Sequence, residues 1–443
     1  MASESQRRAE RCTAGASRAS DAARRLSSPR HLTPEQRSVL DEALTFACEQ
    51  PRDDGPSRHV LLIEGAAGTG KSVVLARLFH EIQARSEEPR RNYLLVNHPE
   101  VLKIYGELAA QDQAVKKRQL MRPTSFVNAL ERQRAELGES SPFPMADTVL
   151  VDEAHLLLSQ PDHYNRFYGE DQLMSIVALA RTVVLVYDPM QAVKTKELWT
   201  PERLRQTIKR CERLVGPIEL SVRKLTRQLR MQAPEAIGRW VAALAQRKEV
   251  HRLDGSPGAY DLRVFEDAQE MYEQIRARDA QVGISRVCAT VNYPSRLDGR
   301  AHYVDEGRFH VPWDQYNHRS TPWAELEGTI DEVGSIYTVQ GFDLNYIGVI
   351  IGPGVTFEPT DDGAKDLLGR IVVDTAKITD REAYKGVSAI AGDELDGVRE
   401  RLFLNALGVL LTRGRCGLYL YAHDRELGAA LQRAIGGSEP ARE

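Results

Sequence analysis

Short, unbroken apolar runs punctuate the chain: HVLLIEG (59–65), NYLLVN (92–97), TVLVDE (148–153) and TVVLVYD (182–188). Each is rich in Val, Leu and Ile, and stretches with helical spacing separate them. Runs of this kind mark strands covered on both faces, and intervening helices mark parallel pairing. The pattern returns after residue 220 with LRVF (262–265), RVCATVNY (286–293), YIGVIIG (346–352) and GLYLYA (417–422). Two successive α/β domains with parallel sheets are therefore predicted, over residues 32–220 and 221–430. Beyond this coarse duplication there is no short-period repeat.

The flanks differ in texture. Residues 1–31 are rich in Arg, Ser and Ala with almost no large apolar side chains, so a disordered basic tail is expected. Glu4, Glu10 and Asp21 argue against a transit peptide. Residues 431–443 are expected to form a flexible C-terminal tail. The acidic stretch 352–397, from GPGVTFEPTDDG to GDELDG, carries no motif and reads as a surface insertion. At 443 residues, 42% hydrophobic and 28% charged, the composition is that of a soluble protein. No run approaches the roughly 20 apolar residues of a membrane span, which leads to the expectation of a cytoplasmic protein with no membrane partner. Five cysteines (Cys12, Cys48, Cys211, Cys288, Cys416) lie far apart without metal-binding spacing and read as reduced packing thiols.

Several of the runs end in groups with chemistry. GAAGTGKS (65–72) sits between a strand and the helical SVVLARLFHEI, the context in which G-x-x-x-x-G-K-[ST] cradles phosphate. The backbone N–H groups of Gly65, Ala66, Ala67, Gly68, Thr69 and Gly70 would curl around phosphate oxygens. Lys71 would reach the β- and γ-phosphates of ATP, and Ser72 would hold Mg2+. VLVDEAH ends the third run, where Asp152 is expected to hold Mg2+ through water and Glu153 to act as general base. His155 is open between a structural hydrogen bond and a chemical role. The fourth run ends in VYDPMQ. An Asp-Pro pair alone reads as a turn. At the carboxyl edge of a parallel sheet that already carries the phosphate loop, it places Asp188 and Gln191 where ligands of such sheets bind. Gln191 is then expected to contact the γ-phosphate.

From here the motifs resemble, in order, those of the superfamily 1 DNA/RNA helicases, and their wording is most like the Schlafen group 3-like helicase domain. LTPEQRSVL (32–40) looks like the adenine-reading element, with Gln36 as the reader. GAAGTGKS, VDEAH and YDPMQ look like motifs I to III. LTRQLRM (225–231) looks like motif IV with Arg230, YTVQGFDLNYIGVIIG (337–352) like motif V with Gly341, and VLLTRGRCGLYLY (409–421) like motif VI with Arg413 as arginine finger. The resemblance covers residues 32–424. It implies two tandem RecA-like P-loop NTPase domains with ATP and Mg2+ in the cleft between them, and Arg230 and Arg413 supplied by the second. ATP hydrolysis would drive movement on single-stranded DNA or RNA, with Gln191 and the Gln-Gly of motif V relaying the nucleotide state. Two positions depart from the pattern: Gly414 stands where many relatives have alanine, and Asp343 where glutamate is common. The competing reading is a nucleotide-gated switch that binds nucleic acid or a protein partner without unwinding, against which the intact Glu153 favours turnover. A small-molecule kinase leaves the second sheet and the distal arginines unexplained.

A net charge of -4 does not exclude a nucleic-acid partner, because a local basic stripe suffices. Residues 193–230 carry eleven Lys/Arg against four Glu, and AVKKRQLMR (114–122) adds a second basic stretch, with solvated helix faces as the plain alternative. Among the aromatics of residues 293–346, Trp313 and Trp323 are the expected base-stacking residues, since WDQYNHRSTPW is too polar for a strand core.

Overall fold

The computed structural model describes residues 32–48, 58–85, 91–138, 145–197, 199–294, 300–315, 319, 321–339, 341–360, 366–380, 383–384 and 392–436. The expected basic tail, residues 437–443, Cys12, Tyr316 and Gln340 lie outside the described residues. The described chain divides into two compact units. One runs up to Ala192 and includes Lys196–Gln228; the other comprises Val193–Thr195 and the residues from Leu229 onward.

The first unit contains β1 (Arg58–Gly65), β2 (Asn92–Val96), β3 (Leu120–Met121), β4 (Ala146–Asp152), β5 (Ala180–Tyr187) and β6 (Ile218–Leu225). They form one sheet in the order β3-β2-β4-β5-β1-β6, and every pairing is parallel. Alternate residues serve opposite faces. Val60, Leu62, Val183 and Leu185 pack with Phe126, Trp199 and Leu204, whereas Leu61, Ile63, Val184 and Val186 pack with Val74, Leu78 and Phe79. Both faces are covered, which is why these strands read as continuous apolar runs. Helix Lys71–Ala84 buries Val74, Leu75, Leu78, Phe79 and Ile82, a single stripe at helical spacing.

β6 hides in the sequence because it is an edge strand. Glu219, Arg223 and Lys224 are exposed along it, and its side chains tie it to the helix Pro34–Cys48, with Ser221 Oγ donating to Glu42 (2.7 Å) and Arg223 Nε 2.6 Å from the same carboxylate. Charge on an edge strand protects it against pairing with another chain. The basic stretch 193–230 is thus not one face. It is divided between helix Pro201–Val215 and β6, and Lys196 is already paired with Asp162 at 3.1 Å.

The second unit contains β7 (Glu249–His251), β8 (Asp261–Phe265), β9 (Ser285–Ala289), β10 (His302–Glu306), β11 (Phe309–Trp313), β12 (Val333–Gly334), β13 (Leu344–Ile351), β14 (Val355–Pro359), β15 (Leu367–Val373) and β16 (Gly414–Ala422). Its main sheet has the order β10-β11-β12-β9-β13-β16-β8, parallel except for the β10–β11 hairpin. The fold is α/β, with two RecA-like units built on parallel sheets. A separate antiparallel sheet, β14-β15-β7, corrects the reading of residues 352–397 as surface insertion. Val355, Phe357 and Ile371 are buried, and β15 pairs with β7 more than a hundred residues earlier in the chain.

The two tryptophans also differ from expectation. Trp313 lies on β11 opposite His302, is buried, and donates its indole N–H to the carbonyl of Pro294 (3.1 Å). Trp323 is buried with its indole N–H on Glu332 Oε2 (3.0 Å). Neither presents a ring face to a base, so both are withdrawn as stacking residues. The polar residues that misled the reading follow the end of β11 at Trp313 and precede the short helix that begins at Trp323, so they do not report on the burial of either ring. Cys211 and Cys288 are buried, and burial pushes both thiols up to about 12. No helix among the described residues is long and apolar enough to cross a membrane.

Candidate nucleotide site

Three neighbouring strands, β4, β5 and β1, release their chains at the same carboxyl edge of the first sheet. β1 leads into the loop of residues 65–70 and then into helix Lys71–Ala84. Gly68 (φ 82°) and Gly70 (φ 80°) adopt left-handed backbone that side-chain-bearing residues avoid. Gly70 is the helix N-cap and supplies no side-chain acceptor, so the first-turn N–H groups point at the loop's concavity. Thr69 closes the loop on itself, its hydroxyl donating to Ala66 O (3.0 Å). Ala67 and Gly68 form the turn at its tip.

Lys71 Nζ donates to the carbonyls of Gly65 (2.7 Å) and Ala66 (3.0 Å) and lies 3.5 Å from Asp188 Oδ2. The buried Asp188 also accepts from Gln191 Nε2 on Oδ2 (2.6 Å) and from the Met190 N–H on Oδ1 (3.1 Å). The carboxylate of the DPMQ turn joins the lysine of the glycine loop to the glutamine, in a buried setting where such contacts are strengthened. Gln36, on helix Pro34–Cys48, reaches the loop from the other side. Its Nε2 donates to Thr69 O (3.0 Å), while its Oε1 accepts from the Thr33 N–H (3.0 Å).

Asp152, the last residue of β4, is fully buried. It accepts from Ser72 Oγ (3.1 Å) and the Glu153 N–H (3.0 Å) on Oδ1, and from the Tyr105 hydroxyl (2.8 Å) on Oδ2. Burial, and then the neighbouring Glu153 charge, push its carboxyl up to about 6. Tyr105 was not found from sequence. It sits on helix Pro99–Gln111, and burial followed by the Asp152 charge raises its phenol well above the usual range. No motif spacing links it to Asp152; the two meet only because that helix folds back along the sheet.

Glu153 has φ 52°, a left-handed backbone unusual for a non-glycine residue. Its Oε2 lies 3.0 Å from Nε2 of the fully buried His155. His155 thus lies beside the carboxylate of Glu153, although these two atoms do not form a hydrogen bond.

The remaining candidates belong to the second unit. Arg230 Nε lies 2.5 Å from Asp343 Oδ1. Arg413 is buried, with Nη1 donating to Phe342 O (3.3 Å). Gly341 occupies the turn between helix Ile336–Val339 and β13. Arg230, Asp343 and Arg413 thus gather at the amino edge of β13 and β16, and Asp343, one of the two departures from the family pattern, takes the role of partner to Arg230.

A glycine loop between strand and helix, an acidic pair at the end of β4 and a second α/β unit carrying arginines define a RecA-like P-loop protein of the helicase class. The chain belongs to the family described as Schlafen group 3, DNA/RNA helicase domain, which matches residues 58–424. A relative in Saccharomyces cerevisiae, named uncharacterized protein YPL245W, is 36% identical over 429 residues, covering 91% of this chain and 90% of that protein. Among solved structures, Mss116p bound to ssRNA and AMP-PNP is similar at a TM-score of 0.40 and 12% identity, over 96% of this chain and 77% of that one. Unliganded Pif1 from Bacteroides sp. is similar at a TM-score of 0.28 and 12% identity, over 66% and 62%.

Proposed function

We propose that this protein is a superfamily 1 helicase or single-strand translocase that couples ATP hydrolysis to movement on single-stranded DNA or RNA. The observation that supports it most is the convergence of Lys71, Ser72, Asp152, Glu153, Asp188 and Gln191 on one sheet edge, with hydrogen bonds joining them. Family membership supplies the nucleic-acid side of the reading.

The residues fit ATP and Mg2+. Ser72 Oγ and Asp152 Oδ1 place two oxygens 3.1 Å apart, the hard-ligand pair through which Mg2+ is usually held beside phosphates. Bound there, Mg2+ would neutralise charge on the phosphate oxygens. Lys71 would exchange its loop carbonyls for phosphate oxygens, and the N–H groups from Gly68 to Ser72 would complete the cradle. Glu153, with His155 beside it, would take the proton of the attacking water. Arg230 and Arg413 would stabilise charge on the transferring phosphoryl group.

Stimulation tests the reading directly. ATPase rate is expected to rise severalfold when single-stranded DNA or RNA is added; equal rates with and without strands of several sequences would leave the nucleotide-gated switch. Gln191→Ala separates coupling from binding. Because Gln191 donates to the carboxylate that faces Lys71, the variant should still bind ATP and single strands but lose the difference in strand affinity between a non-hydrolysable ATP analogue and ADP. Linkage requires the same loss in nucleotide affinity measured with and without strand. An unchanged ratio would reduce the DPMQ stretch to a turn.

A pH dependence follows from Asp152. With its carboxyl raised to about 6, the folded state holds the proton more tightly than the unfolded chain, so ionising it costs stability as pH rises from about 4 to about 6. A cation that pairs with the ionised form offsets this cost. Mg2+ should therefore raise the melting temperature more at pH 7 than at pH 5, and Asp152→Asn should abolish the difference. Equal Mg2+ shifts at the two pH values in the wild type would rule out this carboxylate as the cation's ligand.

A further inference from the structure

Between β4 and the helix Gln172–Leu179 the chain forms a loop, SQPDHYNRFYGED (159–171), that the nucleotide site does not use. It is built as a fixed support. Asp162 and Phe167 exchange backbone hydrogen bonds in both directions (2.9 Å each), and Asp162 caps the turn by accepting from Asn165 Nδ2 (2.9 Å) while pairing with Lys196. Phe167 is buried in the unit's core, and Gly169 packs so closely on its ring that a Cβ there would lie 2.9 Å away. Asp171 closes the far end as the N-cap of the following helix. On this support the outward side chains are mainly aromatic and basic, joined by Asn165 and by Glu170, which pairs with Arg210. Tyr164 is 94% exposed, Tyr168 is 68% exposed with His163 packed against it at 5.3 Å, and Arg166 is exposed between them.

We propose that this loop is a base-stacking platform on which Tyr164 and Tyr168 hold unpaired bases of a bound single strand while Arg166 meets its phosphates. The proposal rests on the single-strand reading above and adds a contact that none of the helicase motifs supplies. Two large aromatic side chains standing in water on a rigid turn have given up contact area that core packing would have used, which marks an interaction site. Their company selects the ligand. Apart from Pro161, the exposed side chains of the loop include no aliphatic one, so the apolar centre of a protein-docking patch is lacking, whereas tyrosine with arginine is the combination that stacks bases and neutralises backbone charge. Holding the rings in place beforehand reduces the ordering cost of binding.

Placement agrees. Asn128 Nδ2 donates to Arg166 O (3.0 Å) and Gln172 Nε2 to Thr124 Oγ1 (2.8 Å), which fixes the loop against the helix Pro123–Leu137 that leaves the carboxyl end of β3. The loop thus stands on the same sheet edge as the phosphate loop.

The experiment compares wild type, Tyr164→Ala/Tyr168→Ala and Tyr164→Phe/Tyr168→Phe for binding to fluorescein-labelled single-stranded DNA, single-stranded RNA and an abasic DNA strand of equal length. The alanine pair, which removes two stacks, is expected to lose at least about 30-fold in affinity for base-bearing strands, the phenylalanine pair to retain it, and the abasic strand to bind wild type and both variants alike. Irradiation of a strand carrying 5-iodouracil should attach it to the peptide containing Tyr164 and Tyr168. If wild type binds strands and the alanine pair binds them equally well, the platform is overturned while the single-strand reading stands, and the loop is left as a protein-docking surface. If wild type binds no single strand at low salt, both fall together.

Discussion

Glu153→Gln is expected to bind ATP as the wild type does and to turn it over about 10²- to 10⁴-fold more slowly, the range that a positioned general base contributes. The substitution keeps size and shape and removes the negative charge and, with it, the ability to take a proton. Nothing that would hold the nucleotide is disturbed, because Lys71, Ser72 and Asp152 make their contacts without the Glu153 side chain. Glu153 is buried and lies 3.0 Å from His155, so a water bound at the γ-phosphate would meet one fixed carboxylate. Filter binding of labelled ATP and steady-state phosphate release, measured on one preparation, separate the two effects. Full turnover in Glu153→Gln would remove the residue from the mechanism. His155→Ala should fall between, lowering turnover by loosening the base without deleting it.

The largest effect is expected at the arginines. Arg230→Ala should lower kcat by about 10³- to 10⁵-fold with little change in ATP affinity, since a group that meets charge developing in the transition state alters rate more than ground-state binding. Arg230 contacts Asp343 through Nε, which orients the guanidinium while its terminal nitrogens form the fork that suits phosphate. Arg230→Lys should therefore recover little, because an ammonium keeps the charge and loses the fork. Arg413→Ala should also lose turnover, but its burial and its bond to Phe342 O add a loss of melting temperature that Arg230→Ala does not share. Near-normal kcat in both alanine variants would exclude the second unit from catalysis.

Much of this was legible in the chain because burial on both faces writes itself as an unbroken run. β1, β2, β4, β5, β8, β9, β13 and β16 all lie within or around such runs. Elements outside the middle of a sheet leave no such trace. β6, reading IELSVRKL, is buried only at its two ends and exposed or half-buried between them at an edge, and β14 and β15 are short antiparallel strands whose partner β7 is remote in sequence. The phosphate loop, the acidic pair and the DPMQ turn were legible because each is local, with its chemistry in a few consecutive letters. Tyr105 and the pairing of Arg230 with Asp343 were not, because they depend on how distant segments meet. The tryptophans show the opposite failure: a polar neighbourhood in sequence is not an exposed neighbourhood in space.

The backbone of Glu153 carries a further cost of its own. At φ 52° the residue occupies a conformation that disfavours any side chain, by about 1–2 kcal/mol relative to glycine. Glu153→Gly should therefore fold at least as well as the wild type while being inactive. The fold would hold at least as well without the proposed base, so a library of variants sorted only by solubility or heat resistance would drift toward loss of the acid. Only sorting by turnover would keep it.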